Sequence, residues 1–189
     1  KIANTALSAL RAEMGRRMDL IDPDVLSFAF VVDFPLFEWS EQEGRWDATH
    51  HAFTMPHAGH EEYLESDPGK VIAHCYDMVC NGVELASGSI RVHQRDLQER
   101  IFKVLGYTDE QIQRRFGQLL DSFEYGAPPH GGIAPGIDRL LMVLTGIENI
   151  RDVIAFPKTQ TGADPLFDSP SPLDDDQLKE LHIRVLPTE

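Results

Sequence analysis

Cysteine is scarce in this chain, with only Cys75 and Cys80 among 189 residues. That excludes a disulfide framework, and the two do not make the CxxC spacing of a zinc or redox motif. Long apolar runs are absent too, none reaching the roughly 18 residues of a membrane span. Basic residues are few. Lys plus Arg is 17 against 31 Asp plus Glu, a formal charge of −14. Such a balance excludes nucleic-acid binding through a general electrostatic footprint, so any such contact is local or uses segments outside this stretch. The opening Lys1-Ile2-Ala3-Asn4 has neither a starting methionine nor a signal-peptide pattern, and it begins inside a helical pattern. It reads as a fragment or a processed chain. Internal repeats and low-complexity tracts are missing. What remains is 42% hydrophobic and 25% charged, the composition of a reduced, cytoplasmic globular domain or a large piece of one.

The order of patterns predicts an α+β fold with antiparallel pairing. Residues 2–18 read as a helix, with Ile2, Ala6, Leu10 and Met14 four apart. Leu26 to Phe37 reads as a buried strand, with Phe28, Phe30, Val32 and Phe34 alternating. Trp46–Phe53 is a second extended segment, and a loop over 55–69 carries a short helix near Glu61–Leu64. Val71–Ile90 is a hairpin turning at Asn81-Gly82, a pair that favours a type I′ turn. A helix over Asp96–Leu105 stops at Gly106. Thr108 and Gln111 make a capping box for the next, which buries Ile112, Phe116, Leu119, Leu120 and Phe123. Tyr125–Gly132 is a loop. Ile137, Leu140, Leu141 and Leu144 then define a buried helix face. Short strands are expected at Val153–Phe156 and Ile183–Leu186, with a short helix near Asp175–Leu181 between them.

The most informative segment is Gly132-Ile133-Ala134-Pro135-Gly136-Ile137-Asp138-Arg139. It places a cation in the first turn of a helix, beside backbone N–H groups, where a phosphate can bind. An ordinary surface arginine has the same spacing. In the hairpin, a two-residue loop pairs Cys80 with Val83, Val79 with Glu84 and Asp77 with Ala86. Asp77 and Glu84 then share a face on a diagonal of roughly 7–8 Å. Two such acids suit a divalent cation shared with phosphate, but also a solvated face or an arginine partner. Strict alternation puts Arg91 on the opposite face. A bulge within the small residues Ala86-Ser87-Gly88-Ser89 would turn it onto the acids' face, where it could clamp a carboxylate or serve in a salt bridge. His50, His51, His57 and His60 lack the spacing of a zinc motif and fit better as ligand-bonding or surface histidines.

Together these segments resemble the bacterial-type aspartyl-tRNA synthetases. The resemblance runs from about Phe30 to the end, and is carried by the strings at 50–54, 76–85, 88–93, 125–132, 136–139 and 149–158. Gly136–Arg139 is similar to motif 3 of class II aminoacyl-tRNA synthetases. The resemblance implies a partial class II catalytic domain, an antiparallel sheet flanked by helices. Residues 1–22 would be a helix re-entering it after an inserted domain, and 23–189 its C-terminal portion. It also implies roles. Glu84, Gly136, Ile137, Asp138 and Arg139 would bind ATP, and Asp77 with Glu84 would hold Mg2+. His50 and Arg91 would bind L-aspartate. The reaction would make aspartyl-adenylate and then charge tRNA-Asp, with tRNA-Asn an open alternative, in a cytoplasmic homodimer away from any membrane. No protein nucleophile is needed. The family carries three glycines where this chain has Ala86-Ser87-Gly88, and commonly an aromatic where it has Pro135. Its anticodon-binding barrel and motifs 1 and 2 have no counterpart here, so the isolated fragment is expected to be inactive.

Overall fold

A computed structural model describes residues 2–22 and 24–186. The chain divides into two units, Lys1–Ile137 and Asp138–Glu189.

The first unit is built on a hairpin. Strand β4 (Ile72–Cys80) and strand β5 (Val83–Ile90) meet at Asn81-Gly82, whose φ angles of 49° and 82° are those of the expected turn. Strand β1 (Phe28–Pro35) pairs antiparallel with β4, and strand β6 (Gly131–Pro135) with β5, giving the order β1-β4-β5-β6. The expected loop before Arg139 thus ends in a strand. It escaped notice because Gly131 and Gly132 mask the alternation. Gly131 and, on β5, Gly88 serve the pairing, whereas Gly132 has open space for a side chain. A Cβ on Gly131 would lie 2.8 Å from the Ser89 carbonyl oxygen, and one on Gly88 only 2.2 Å from that of Gly132. Of the positions where three glycines were expected, Gly88 is the one the close approach demands.

β1 is an edge strand, not a buried one. Phe28, Phe30 and Val32 are more than half exposed. Its alternation specifies a strand, but among the described residues only β4 pairs with it and neither face is covered, Val31 on the opposite face being 44% exposed too. A second, smaller sheet pairs strand β2 (Phe37–Ser40) with strand β3 (Arg45–Ala48). The extended segment therefore ends at Ala48 rather than Phe53.

Helix α1 (Ile2–Arg17) forms as expected and buries no residue. Helix α2 (Arg95–Val104) packs Leu97 and Ile101 with Ala73 and Cys75 of the hairpin and Val92 just after it, with Leu36, Phe37, Leu64 and Val71 completing the core. Helix α3 (Asp109–Phe123) starts at the Thr108–Gln111 capping box and closes a second cluster of Phe102, Ile112 and Leu120. Phe116 and Phe123 pack at its edge, whereas Leu119, expected inside, is 38% exposed. It falls on the flank of the helix, outside the stripe of Ile112, Phe116 and Leu120.

In the second unit, helix α4 (Ile137–Thr145) has the expected period but not the expected burial. Ile137, Leu141 and Leu144 are exposed. The period makes the helix amphipathic; burial needs a covering layer, and the described residues do not supply one. The strand expected at Val153–Phe156 does not form: a 3-10 turn over Ile150–Val153, started by the Asn149 side chain accepting the Arg151 N–H, reaches its first residue, and bends follow over 154–156. Residues 183–186 run without a strand partner. Helix α5 (Asp175–Glu180) forms with a capping box from Asp174 and Gln177. None of the described helices is long and apolar enough to cross a membrane.

Candidate functional site

The hairpin register decides which side chains meet. Val79 pairs with Glu84, as the two-residue turn requires, but Met78 then pairs with Ala86 and Asp77 with Ser87. Leu85 is the extra residue, so the expected bulge lies one position before the small-residue run, and the expected Asp77–Ala86 pair does not form. Beyond the bulge the parity of β5 is reversed. Ser87 and Ser89 face the same way as Asp77 and Cys75, their cross-strand partners, and alternation carries Arg91 to that side. Glu84, opposite Val79, is on it too. The side that holds the acids therefore holds Arg91. Pro135 pairs with Ala86 and falls on the other face.

This face passes from closed to open along β4. Ala73 and Cys75 are in the core under α2, while Asp77 and Val79 are partly exposed. Asp77 is at that rim, with its Oδ1 buried and without a hydrogen-bond partner among the described residues. Ser89 Oγ, on the same face and 1% exposed, is likewise unpartnered. Buried polar atoms left so are expensive, and a polar ligand is one way of satisfying them.

Arg91 is half-buried and braced by His51. Its Nη1 contacts both ring nitrogens of His51, at 3.0 Å from Nδ1. That Nδ1 also accepts the Phe53 N–H at 3.2 Å and lies 3.3 Å from Thr54 Oγ1. Burial, then the charge of Arg91, lowers the His51 pKa below its ordinary value, so the ring is neutral and accepts from the guanidinium. No carboxylate ion-pairs with Arg91 among the described residues. The charge is positioned without being cancelled. The segment carrying the histidines is firmly held. Gln98 Nε2 donates to the Ala52 carbonyl at 2.6 Å, Val92 N donates to the Phe53 carbonyl at 2.9 Å, and the Phe53 ring is edge-on to Phe102. His50 is exposed, with its ring edge-on to Phe34 at 4.9 Å and a ring nitrogen within 4.8 Å of both Cys75 Sγ and an Asp77 carboxylate oxygen.

Gly136 closes the β6 end by donating its N–H to the Leu85 carbonyl at 2.7 Å, so this amide is not free for a phosphate. Ile137 is 62% exposed. In the second unit, Asp138 and Arg139 occupy the first turn of α4, both exposed, and the apolar positions flanking Arg139 are not the buried anchors the period predicts.

Residues 6–160 match the family model described as tRNA synthetases class II (D, K and N). The chain belongs to this class II synthetase family. It is 55% identical over 185 residues to the aspartate–tRNA(Asp/Asn) ligase of Dehalococcoides mccartyi strain CBDB1, a match covering 98% of this chain and 31% of that protein. It is 54% identical over 185 residues to the enzyme of the same name from Rubrobacter xylanophilus, covering 97% of this chain and 31% of the relative. The chain thus spans less than a third of the length of these curated relatives. Among solved structures, an aspartyl-tRNA synthetase from Entamoeba histolytica aligns with a TM-score of 0.55 and 25% identity over 81% of this chain and 26% of that one. An asparaginyl-tRNA synthetase from the same organism aligns at TM-score 0.54, covering 73% of this chain and 26% of its own, and at 23% identity it speaks for the shared synthetase fold alone. The antiparallel sheet with flanking helices is therefore a class II synthetase fold, as expected.

In sequence, His51 reads as a ligand-bonding or surface histidine, Cys75 as a cysteine without a metal spacing and Ser89 as one of a run of small residues, and none of them has a specific place in the site. Cys75 was within reach of the same alternation that selected Asp77, two residues along β4. Ser89 became visible only once the bulge at Leu85 had set the register.

Proposed function

We propose that residues 23–189 are the C-terminal portion of the catalytic domain of an aspartate–tRNA ligase, with residues 1–22 leading in from an inserted domain. Arg91 carries this reading: a half-buried guanidinium, braced by a neutral imidazole and lacking a protein carboxylate, on the face that also presents Asp77 and Glu84. A desolvated cation is stable when an anion completes it, and a small carboxylate fits its fork bidentately. The side-chain carboxylate of L-aspartate is that anion. Asparagine would turn an amide NH2 toward N–H donors, leaving polar groups unpaired on both sides. His50, exposed beside Asp77, lines the amino-acid site with Arg91.

Glu84 and Asp77 supply hard oxygen donors on one face, and the unpartnered Oδ1 of Asp77 suits a Mg2+ ion shared with phosphate. When bound, that ion would neutralise phosphate charge. Gly136, Ile137 and Asp138 line the ATP site, and Arg139, a cation in a first helical turn, takes a terminal phosphate. The aspartate α-carboxylate attacks the α-phosphate of ATP. An O–P bond forms as the bond to pyrophosphate breaks, and a hydroxyl of the tRNA's terminal ribose then takes the aspartyl group from the adenylate, releasing AMP and a proton. The protein's part is orientation and charge compensation. The relatives' names include both tRNA-Asp and tRNA-Asn, so both are candidate acceptors, in a cytoplasmic homodimer of the longer protein.

ATP–pyrophosphate exchange tests this. A family enzyme of full length carrying these residues is expected to exchange with aspartate and not with asparagine, and this chain alone is expected to show little exchange. Equal exchange with asparagine would contradict the assignment of Arg91. Robust exchange by the chain alone would contradict the partial-domain reading.

A further inference from the structure

We propose that Cys75, His50 and Asp77 form a binding site for a zinc-class transition-metal ion. The Sγ of Cys75, an imidazole nitrogen of His50 and a carboxylate oxygen of Asp77 all lie within 4.8 Å of one another. A zinc ion with Zn–S of about 2.3 Å and Zn–N or Zn–O of about 2.0 Å holds its tetrahedral ligand atoms roughly 3.3–3.5 Å apart, so side-chain rotations close the site. Two of the ligands are fixed by the strand: Cys75 and Asp77 alternate on β4 and share a face. The third comes from the firmly held segment after β3. Cys75 is 4% exposed and makes no disulfide, and Asp77 Oδ1 is buried without a partner, so each gains from a ligand. His50 is exposed, which leaves an entry path and an open fourth position.

The donor set selects the metal. Thiolate and imidazole favour zinc, cobalt and copper over magnesium, whereas the Asp77–Glu84 pair is all oxygen and favours magnesium. Asp77 belongs to both sets, so the two ions exclude each other. If the aspartate-ligase reading holds, a zinc ion here also displaces His50 from the amino acid and acts as an inhibitor. Metal binding itself does not depend on that reading.

The test titrates Co2+, as the spectroscopic stand-in for Zn2+, into the reduced chain without nucleotide. The expected result is a thiolate-to-cobalt charge-transfer band with tetrahedral d–d bands, saturating at one ion per chain, bleached by stoichiometric Zn2+ and displaced by Mg2+ only at far higher concentration. Cys75→Ala removes the band and Cys80→Ala keeps it. His50→Ala weakens binding by about tenfold or more. In the unmodified chain, Zn2+ slows alkylation of Cys75 and leaves that of Cys80 unchanged, a readout that needs no variant to fold. A band that survives Cys75→Ala, octahedral Co2+ spectra without a thiolate band, or no protection of Cys75 would each overturn the site.

Discussion

The hairpin and helix α4 each carry groups assigned to one reaction, yet they are built differently. Around β4 and β5, the charged residues sit at the rim of a closed core, with Cys75 buried beneath α2, Arg91 braced by His51, and Asp77 Oδ1 and Ser89 Oγ held away from water. On α4, Arg139 and Asp138 are exposed and the apolar stripe of Ile137, Leu141 and Leu144 is bare. The residues proposed to recognise a carboxylate are held by packing within this chain. Helix α4, proposed to hold a phosphate, has its local form but little of its packing. The contrast separates what pattern alone determines, which is the element, from what a covering layer adds, which is rigidity.

Substitutions can break or sharpen that contrast. The largest expected effect is at Phe102, fully buried and stacked on Phe116 with centroids 4.3 Å apart. Phe102→Ala should cost about 3–5 kcal/mol in a denaturant titration, by lost burial and an unfilled cavity. Next is Gly88→Ala, where the new Cβ would meet the Gly132 carbonyl oxygen at 2.2 Å and Tyr76 Cε2 at 2.4 Å. A backbone oxygen cannot swing away, so β6 must separate from β5. A loss of about 2–3 kcal/mol is expected, with faster amide exchange at β6.

A smaller effect concerns acid. The Arg100 guanidinium bonds Glu65 at 2.7 Å and holds its carboxyl below the ordinary value of 4.5. A carboxyl depressed in the folded state binds fewer protons there than in the unfolded chain. It stabilises above its unfolded value, and that stability fades as pH falls through the folded one. Glu65→Gln should therefore flatten the acid limb of a stability–pH profile below about pH 4.5, by no more than about 1 kcal/mol because both side chains are solvent-screened. The smallest effect belongs to α4: Leu144→Ala should change stability by less than about 0.5 kcal/mol, since the side chain is 57% exposed. A cost like that of Phe102→Ala would mean the α4 stripe is covered after all.

Much of this was legible in the residues themselves. Asn81-Gly82 announced the turn, Thr108 with Gln111 announced the start of α3, and the Leu97–Ile101 spacing announced the buried face of α2, because each rests on contacts a few residues apart. Failures came where partners are distant. The alternating phenylalanines of β1 promised burial, but one side of that strand has no neighbour. β6 pairs through backbone at Gly131 and Gly132, which leave no side-chain pattern. The site was half legible: Asp77, Glu84 and Arg91 were chosen correctly as residues sharing a face, and the need for a bulge was seen. Its location at Leu85 was not, since a bulge answers to the packing of Leu85 and Ala86, both 2% exposed, rather than to the small residues that tolerate one.

The proposed carboxylate recognition depends on one extra residue in β5. Cross-strand nuclear Overhauser contacts in the labelled chain measure it directly. The expected pattern opposes Val79 to Glu84, Met78 to Ala86 and Asp77 to Ser87, with Leu85 lacking a partner of its own. An unbroken ladder with Asp77 opposite Ala86 would send the Arg91 guanidinium to the other side of the sheet and contradict the account.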